Sequence, residues 1–273
     1  MRRCRHGYFV YNRNDAFIGQ SLDFYGEYSE GEVDLFRLIC GRGDTVIDVG
    51  ANIGALTVPL SHIVGNSGYV VAIEAQRVIF QTLCANIAVN SIQNTRCIDI
   101  GVSEECGSAI VKQVDYLKGG NFGGVSLSEY NGTGEINGTG EILELERLDI
   151  IMTWTGFKRV DLIKIDVEGM EYKVILGAFG IIREFNPVLY VENDRIDKST
   201  ELIELIRSLG YRLYWHTPPL YNPNNYYGER INIYKNIVSV NMLCLPDGYE
   251  NKRLEGFEGL TEVGDSDSHP FKE

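Results

Sequence analysis

No apolar run in this chain approaches the roughly 20 residues that a helix needs to cross a bilayer, so no membrane-spanning helix is expected. Proline is scarce, at 7 residues. That argues against an extended proline-rich architecture. Six cysteines occur without a CxxC pair or a Cys/His ligand spacing. A zinc ribbon and a dithiol redox motif are therefore not indicated. Cys84 and Cys97 lie inside apolar patterns, as reduced, buried thiols of a cytosolic protein would. Positive charge is also short, with 25 Lys and Arg against 38 Asp and Glu, a net −13. A nucleic-acid backbone is a poor main partner for such a surface. The opening "MRRCRHGYFV" is basic but lacks a following apolar core and a cleavage pattern. No signal peptide is read there, and a cytoplasmic location is the expectation.

What is present is an alternation. Short apolar runs at 45–49 (TVIDV), 68–75 (GYVVAIEA), 95–101 (TRCIDIG), 160–166 (VDLIKID) and 187–193 (PVLYVEN) read as strands. Helical spacing falls between several of them, at 78–90 and about 168–184. A further helix, "STELIELIRSLG", is expected to be capped by Ser199 or Thr200 and closed by Gly210. "YRLYW" and 236–245 add two strands. Alternating strands and helices predict βαβ units and a mostly parallel, doubly wound α/β sheet with helices on both faces. The expected organisation is an N-terminal segment with a lead-in helix (1–42), a main domain (43–246) and a loose acidic tail (247–273). The Pro-, Asn- and Tyr-rich stretch 216–235 is a long loop, a form often tied to function. "NGTGEINGTGEI" (131–142) repeats six residues in tandem and reads as a duplicated surface hairpin or loop.

"DVGANIG" (48–54) follows the first strand and precedes a helix. Glycines let the backbone approach a ligand, and a helix N-terminus adds favourable partial charge. A nicotinamide site would want GxGxxG. Here Gly50 and Gly54 flank Asn52, closer to the D-x-G-x-G-x-G loop of S-adenosylmethionine (SAM) methyltransferases. Glu74, at the end of the second strand, can accept both ribose hydroxyls of a nucleoside cofactor. Asp48, Glu74, Asp99, Asp166 and Glu192 fall at the ends of five strands, the edge where open parallel sheets bind ligands. Five carboxylates there call for a cation, and SAM carries an ammonium and a sulfonium.

These stretches resemble the FkbM-type SAM-dependent methyltransferases, over roughly residues 15–246. The resemblance rests on "DAFIGQSLDFYGEYSEGE" (15–32), "GDTVIDVGANIGALTVPLS" (43–61), "GYVVAIEAQ" (68–76) and "DLIKIDVEGMEYKVILGA" (161–178). It implies a seven-stranded Rossmann-like sheet and O-methylation, often of a sugar or polyketide hydroxyl. It also implies that Tyr25 and Glu27 belong to a segment folded over the cofactor.

A hydroxyl nucleophile needs a base. Asp166 and His216 are the candidates, with Glu168 close enough to contribute. Glu168 is expected at a helix start, where the dipole favours a carboxylate. Asn121, Glu192, Asn225 and Tyr226 are candidates for the acceptor, expected to be a sugar or a glycosylated small molecule. Asp166, Glu168 and Glu192 could hold a divalent metal as hard oxygen ligands, though no metal motif favours one. Two other readings are an NAD-dependent or nucleotide-sugar-modifying enzyme and a non-catalytic carbohydrate-binding module. The sequence leaves room for an oligomer.

Overall fold

The structure, a computed structural model, describes residues 1–112, 114–124, 140–264 and 269–271. Its centre is a sheet of β1 (Thr45–Val49), β2 (Tyr69–Glu74), β3 (Thr95–Asp99), β4 (Leu162–Ile165), β5 (Val188–Glu192), β6 (Tyr211–His216), β7 (Asn241–Pro246) and β8 (Leu260–Glu262). The spatial order is β8-β6-β7-β5-β4-β1-β2-β3. The strands β1 to β5 run parallel, and β7 is antiparallel to both β5 and β6. Seven strands match the expectation, and β8 extends the edge beside β6. That eighth strand comes from the tail expected to be loose. Its pairing, and the packing of Phe257 and Leu260 on the core, fixes the tail as far as Val263.

The helices are α1 (Ile18–Phe24), α2 (Glu30–Ile39), α3 (Thr57–Val64), α4 (Arg77–Val89), α5 (Leu148–Thr153), α6 (Glu171–Gly177), α7 (Phe179–Phe185) and α8 (Ile196–Ser208). Successive strand residues point to opposite faces. Ile47, Val71, Ile163 and Leu189 pack under α5 to α8, and Val46, Val70, Leu162 and Val188 pack with α2 and α3 on the other face. A one-residue slip of any central strand would exchange these two sets, so the register is tightly specified. Helix α2 shares that second core through Val33, Leu35 and Phe36, which ties the N-terminal segment to the sheet.

Pro59 is the third residue of α3, where its missing N–H has no partner to lose. Two helix expectations change. The run 168–184 is two helices, because Glu168 (φ 55°) and Gly169 (φ 93°) are left-handed and delay the start to Glu171. A break follows at Ala178, after Gly177 passes so close to the Ser103 carbonyl that a Cβ would meet it at 2.1 Å. Helix α8 begins before Ser199, at Ile196, and Ser199 Oγ accepts a hydrogen bond from Asn193 instead of capping. Gly210, at φ 84°, ends it as expected.

A three-stranded sheet of Gly101–Val102, Gly107–Lys112 and Gly140–Glu146 stands beside the main one. The hairpin or loop expected at the tandem repeat lies outside the described residues for 131–139, and the repeat's last three residues open the Gly140–Glu146 strand.

Candidate active site

A cavity of about 370 Å³ opens at the C-terminal edge of the parallel strands, within the size range of small-molecule sites. One end is formed by the loop after β1. Gly50 has φ 76°, and a Cβ there would lie 1.8 Å from the Asp166 carbonyl. Only glycine permits that approach of two strand ends. Asn52 takes φ 51°, a left-handed angle that asparagine tolerates better than most residues. This is how it replaces the middle glycine. Gly54, at φ 84°, faces Leu83 and not the cavity, so its role is packing of loop on helix.

Glu74 is the anchor of this end. Its Oε2 accepts the Asn52 N–H at 2.9 Å and its Oε1 the Gln76 N–H at 2.8 Å. Burial pushes its pKa up to about 7; the two backbone donors oppose this, and the Asp166 and Asp48 charges add to it. Each carboxylate oxygen keeps a second lone pair for a ligand hydroxyl. Gln76 donates through Nε2 to the Phe122 carbonyl at 3.0 Å, holding the 119–124 stretch over the cavity. Asn121 is at the lining there, as expected. A Cβ on Gly123 would lie 2.3 Å from Asn52 Nδ2, so that stretch rides directly on the loop after β1.

The other end is acidic. Asp166, Glu168 and Glu192 each place a carboxylate oxygen within 4.8 Å of the others. Glu192 Oε2 is buried and accepts no hydrogen bond among the described residues. Burial, then the charges of Asp166 and Asp194, hold its pKa well above the ordinary carboxylate range. Glu168 pairs with Arg195 at 2.8 Å. Its pKa is pushed up to about 7 by burial and by Asp166 and Asp194, with Arg195 opposing. Glu168 is thus not a helix-start carboxylate: its left-handed turn, a conformation that costs energy in a residue with a side chain, aims it into the cluster. Glu171 accepts the N–H groups of Val167 and Gly169 at 3.2 and 3.0 Å, so it stabilises that turn.

Several candidate residues lie elsewhere. His216 is 3 % exposed and off the cavity lining, with Nδ1 2.8 Å from the Tyr190 hydroxyl and its ring against Phe257. Burial alone lowers its pKa to about 4. A group with no access to solvent or ligand cannot take an acceptor's proton, so the assignment of His216 as base is corrected. Asp99 is exposed on the edge strand, and the neighbouring Ile100, Gly101 and Val102 line the cavity instead. Asp48 is fully buried beneath the loop, held by Thr57 Oγ1 at 2.6 Å and Lys164 Nζ at 3.2 Å. It supports the loop and does not reach a ligand.

Tyr25 and Glu27 are likewise spent inside the protein. The Tyr25 hydroxyl donates to the Ile231 carbonyl and accepts the Ile233 N–H, both at 2.9 Å. Glu27 pairs with Arg5 at 2.6 Å and accepts from Asn222 and the Tyr226 N–H at 2.8 Å. Together they dock the 218–235 loop on α1. Asn225 is consumed within that loop by Asn222 and Glu229, and Tyr226 is exposed outside the cavity. The N-terminal segment contributes Tyr28 to the lining instead.

Lys164 and Glu32, buried charges beside the cavity, escaped the sequence reading. Lys164, in the apolar "LIKI" of β4, is 3 % exposed. Lysine in a strand buried on both faces is the signal that could have revealed it. Glu32, 4 % exposed, accepts a 2.5 Å bond from Ser29 Oγ, and burial pushes its pKa up to about 7. Glu32 and Glu74 both stand above their ordinary value of 4.5, as do Glu168 and Glu192; these four outweigh His216, which is lowered to about 4, so between about pH 4.5 and 7 the native state binds more protons than the unfolded chain. Stability must then fall as pH rises through that window. We expect the ligand-free protein to melt roughly 5 °C higher at pH 5.5 than at pH 8, by scanning calorimetry. An unchanged or rising melting temperature toward pH 8 would contradict the burial of these acids.

An open sheet with the β3-β2-β1-β4-β5-β7-β6 order, a glycine loop after β1 and an acid ending β2 defines the Rossmann-like class of SAM-dependent methyltransferases. The Methyltransferase FkbM domain family matches residues 48–213. The chain belongs to the FkbM methyltransferase family. Among solved structures, methyltransferase FkbM from Methylobacillus flagellatus KT shares 18 % identity and a TM-score of 0.47. That alignment covers 74 % of this chain but 43 % of the other, so this chain spans under half of that relative's length. Cofactor-bound Rv0187 from MTB shares 14 % identity at a TM-score of 0.48, covering 80 % of each chain. Aeropyrum pernix fibrillarin with natively bound SAM shares 13 % identity at 0.42, covering 79 % of this chain and 73 % of that one. No curated protein matches. No helix among the described residues is long and apolar enough to cross a membrane.

Proposed function

We propose that this methyltransferase transfers the methyl group of SAM to a hydroxyl oxygen, on a sugar of a glycan or of a glycosylated metabolite. The observation that carries the reading is the two-ended cavity: Glu74 and the loop after β1 at one end, and Asp166, Glu168 and Glu192 at the other. SAM, when bound, supplies an electrophilic methyl carbon on a cationic sulfur. Glu74 would hold the ribose hydroxyls, and the backbone at Gly50 and Asn52 would lie along the cofactor. Asp166 would take the acceptor's proton as the oxygen attacks. Its side chain is 36 % exposed, and its pairing with Lys164 is long, at 3.4 Å. Glu168 is tied to Arg195 and suits a supporting charge. Asn121, Asp194 and Ser239 give the lining polar groups suited to a hydroxyl-rich acceptor. Family membership speaks against hydride transfer with NAD.

The acid cluster also bears on the metal. Asp166 and Glu168 already have cationic partners in Lys164 and Arg195. A sulfonium and an ammonium add positive charge without a metal. Excess chelator should therefore leave turnover within about twofold, where loss of a Lewis acid would cost several kcal/mol of transition-state stabilisation. A large loss restored by magnesium would instead assign these three carboxylates to a metal.

The function itself is tested in two steps. Calorimetry should show one site for S-adenosylhomocysteine (SAH), the demethylated product. Tritium-labelled SAM should then transfer label to a glycan panel, and the product bond should resist the hydrolysis that cleaves methyl esters. Absence of SAH binding sinks the proposal. Glycan binding without label transfer would mark a binding module on this scaffold.

A further inference from the structure

Lys164 occupies an unusual position for a lysine. It is in the centre of the sheet, on β4 between β1 and β5. Its ammonium lies 3.2 Å from Asp48 Oδ1, 3.4 Å from Asp166 Oδ2 and 3.5 Å from the Gly50 carbonyl. Those three groups belong to three different parts of the site. Asp48 is the penultimate residue of β1 and is fixed to α3 through Thr57. Gly50 is the loop that faces the cofactor end of the cavity. Asp166 is at the acid end.

An ammonium has three N–H donors and no acceptor; here it donates to Asp166 Oδ2 and the Gly50 carbonyl and has the Asp48 carboxylate beside it as an ion-pair partner. Burying the charge is costly, and mere filling of the core would call for an apolar side chain. Burial works against the charged form, yet Asp48, Asp166 and Glu32 hold the Lys164 pKa above its ordinary value. The ammonium therefore stays charged across the working pH range. Asp48 Oδ1 accepts no hydrogen bond among the described residues, so the Lys164 charge 3.2 Å away is what neutralises it.

We infer that Lys164 is a positioning residue that holds the Gly50 loop and the Asp166 carboxylate in register with each other, coupling the cofactor end of the cavity to the acid end. The direct backbone contact at Gly50 supports this. That loop already lies so close to the Asp166 carbonyl that no Cβ fits between them, and the ammonium, which also lines the cavity, bonds to the same two strand ends. Loss of the tie should let them move apart, which misplaces both ends of the site at once. The inference rests on the cavity holding SAM, so its test includes a readout that needs no ligand.

A single Lys164→Met change would strand the Asp48 charge and risk unfolding. The test is therefore a matched pair in a neutralised background: Asp48→Asn/Lys164→Met against Asp48→Asn/Lys164→Gln. Both are uncharged and similar in size, and they differ in whether a donor remains. Melting temperatures check that both fold. Calorimetry with SAH should show the Met variant binding about tenfold more weakly than the Gln variant, the scale of one lost hydrogen bond. Amide hydrogen exchange in 50–54 and 166–169 should be faster in the Met variant, with the rest of the sheet unchanged. Equal SAH affinity and equal exchange in the pair would reduce Lys164 to a buried counter-ion and overturn the inference. If wild-type protein fails to bind SAH, the cofactor reading falls, and the exchange comparison still decides the positioning role. Should the Met variant alone fail to fold, exchange in Asp48→Asn/Lys164→Gln at or below the wild-type rate in both segments supports the tie. Faster exchange in that variant, which keeps a donor, would overturn it.

Discussion

Asp166→Asn should lower the rate of methyl transfer about 10³-fold, the middle of the range for loss of a general base, while SAH affinity changes less than threefold. Asparagine keeps the shape of the side chain and removes its capacity to take a proton. The carboxylate occupies the acid end of the cavity, where Lys164 keeps a charged partner beside it. Glu168→Gln should cost less, because its Oε2 is already engaged by Arg195. Single-turnover kinetics with labelled SAM, on the acceptor that the glycan panel identifies, separate chemistry from binding. Full activity in the Asn variant would remove Asp166 as the base, and a parallel loss of SAH binding would make it a cofactor contact.

Glu74→Gln should weaken SAH binding about 100-fold, or roughly 2.7 kcal/mol, in line with losing charge-assisted hydrogen bonds to two ribose hydroxyls. The wild-type carboxylate is also part of a pH response. Burial holds its pKa at about 7 in the ligand-free protein, and hydroxyl donors favour the ionised form. Binding should therefore release a proton near neutrality, and affinity should fall as pH drops from 7 toward 5. The Gln variant should lose that part of the pH dependence. Calorimetry in buffers of differing ionisation enthalpy measures both effects, and the same affinity and proton count in the Gln variant would exclude Glu74 from the ribose.

Much of the fold was legible because its signals are local. The runs 45–49, 68–75 and 160–166 are β-branched and short, and each became a central strand. The left-handed angles at Gly50, Asn52 and Gly54 are likewise inscribed in the residue types of "DVGANIG". Glu168 was misplaced for the opposite reason. Its neighbours read as a helix start, but Gly169 and the capture of the turn by Glu171 keep it out of the helix.

The site was legible only in part, since a polar side chain near a strand end does not declare its partner. Glu74, Asp166 and Glu192 reached the cavity as their positions suggested. His216, Asp48, Tyr25, Glu27 and Asn225 were taken up by packing. Their partners lie far along the chain: Tyr190 for His216, Lys164 for Asp48, Ile231 for Tyr25 and Arg5 for Glu27. Asn225 was taken by its own loop. The sequence alone determined the strand–helix alternation, the loop after β1 and the acid that ends β2, because backbone preference and hydrophobic period act between near neighbours. Tertiary structure alone decided which acids face the cavity and which are neutralised beneath it. That choice depends on burial and on pairing between β1, β4 and β5, and neither exists until the sheet is assembled.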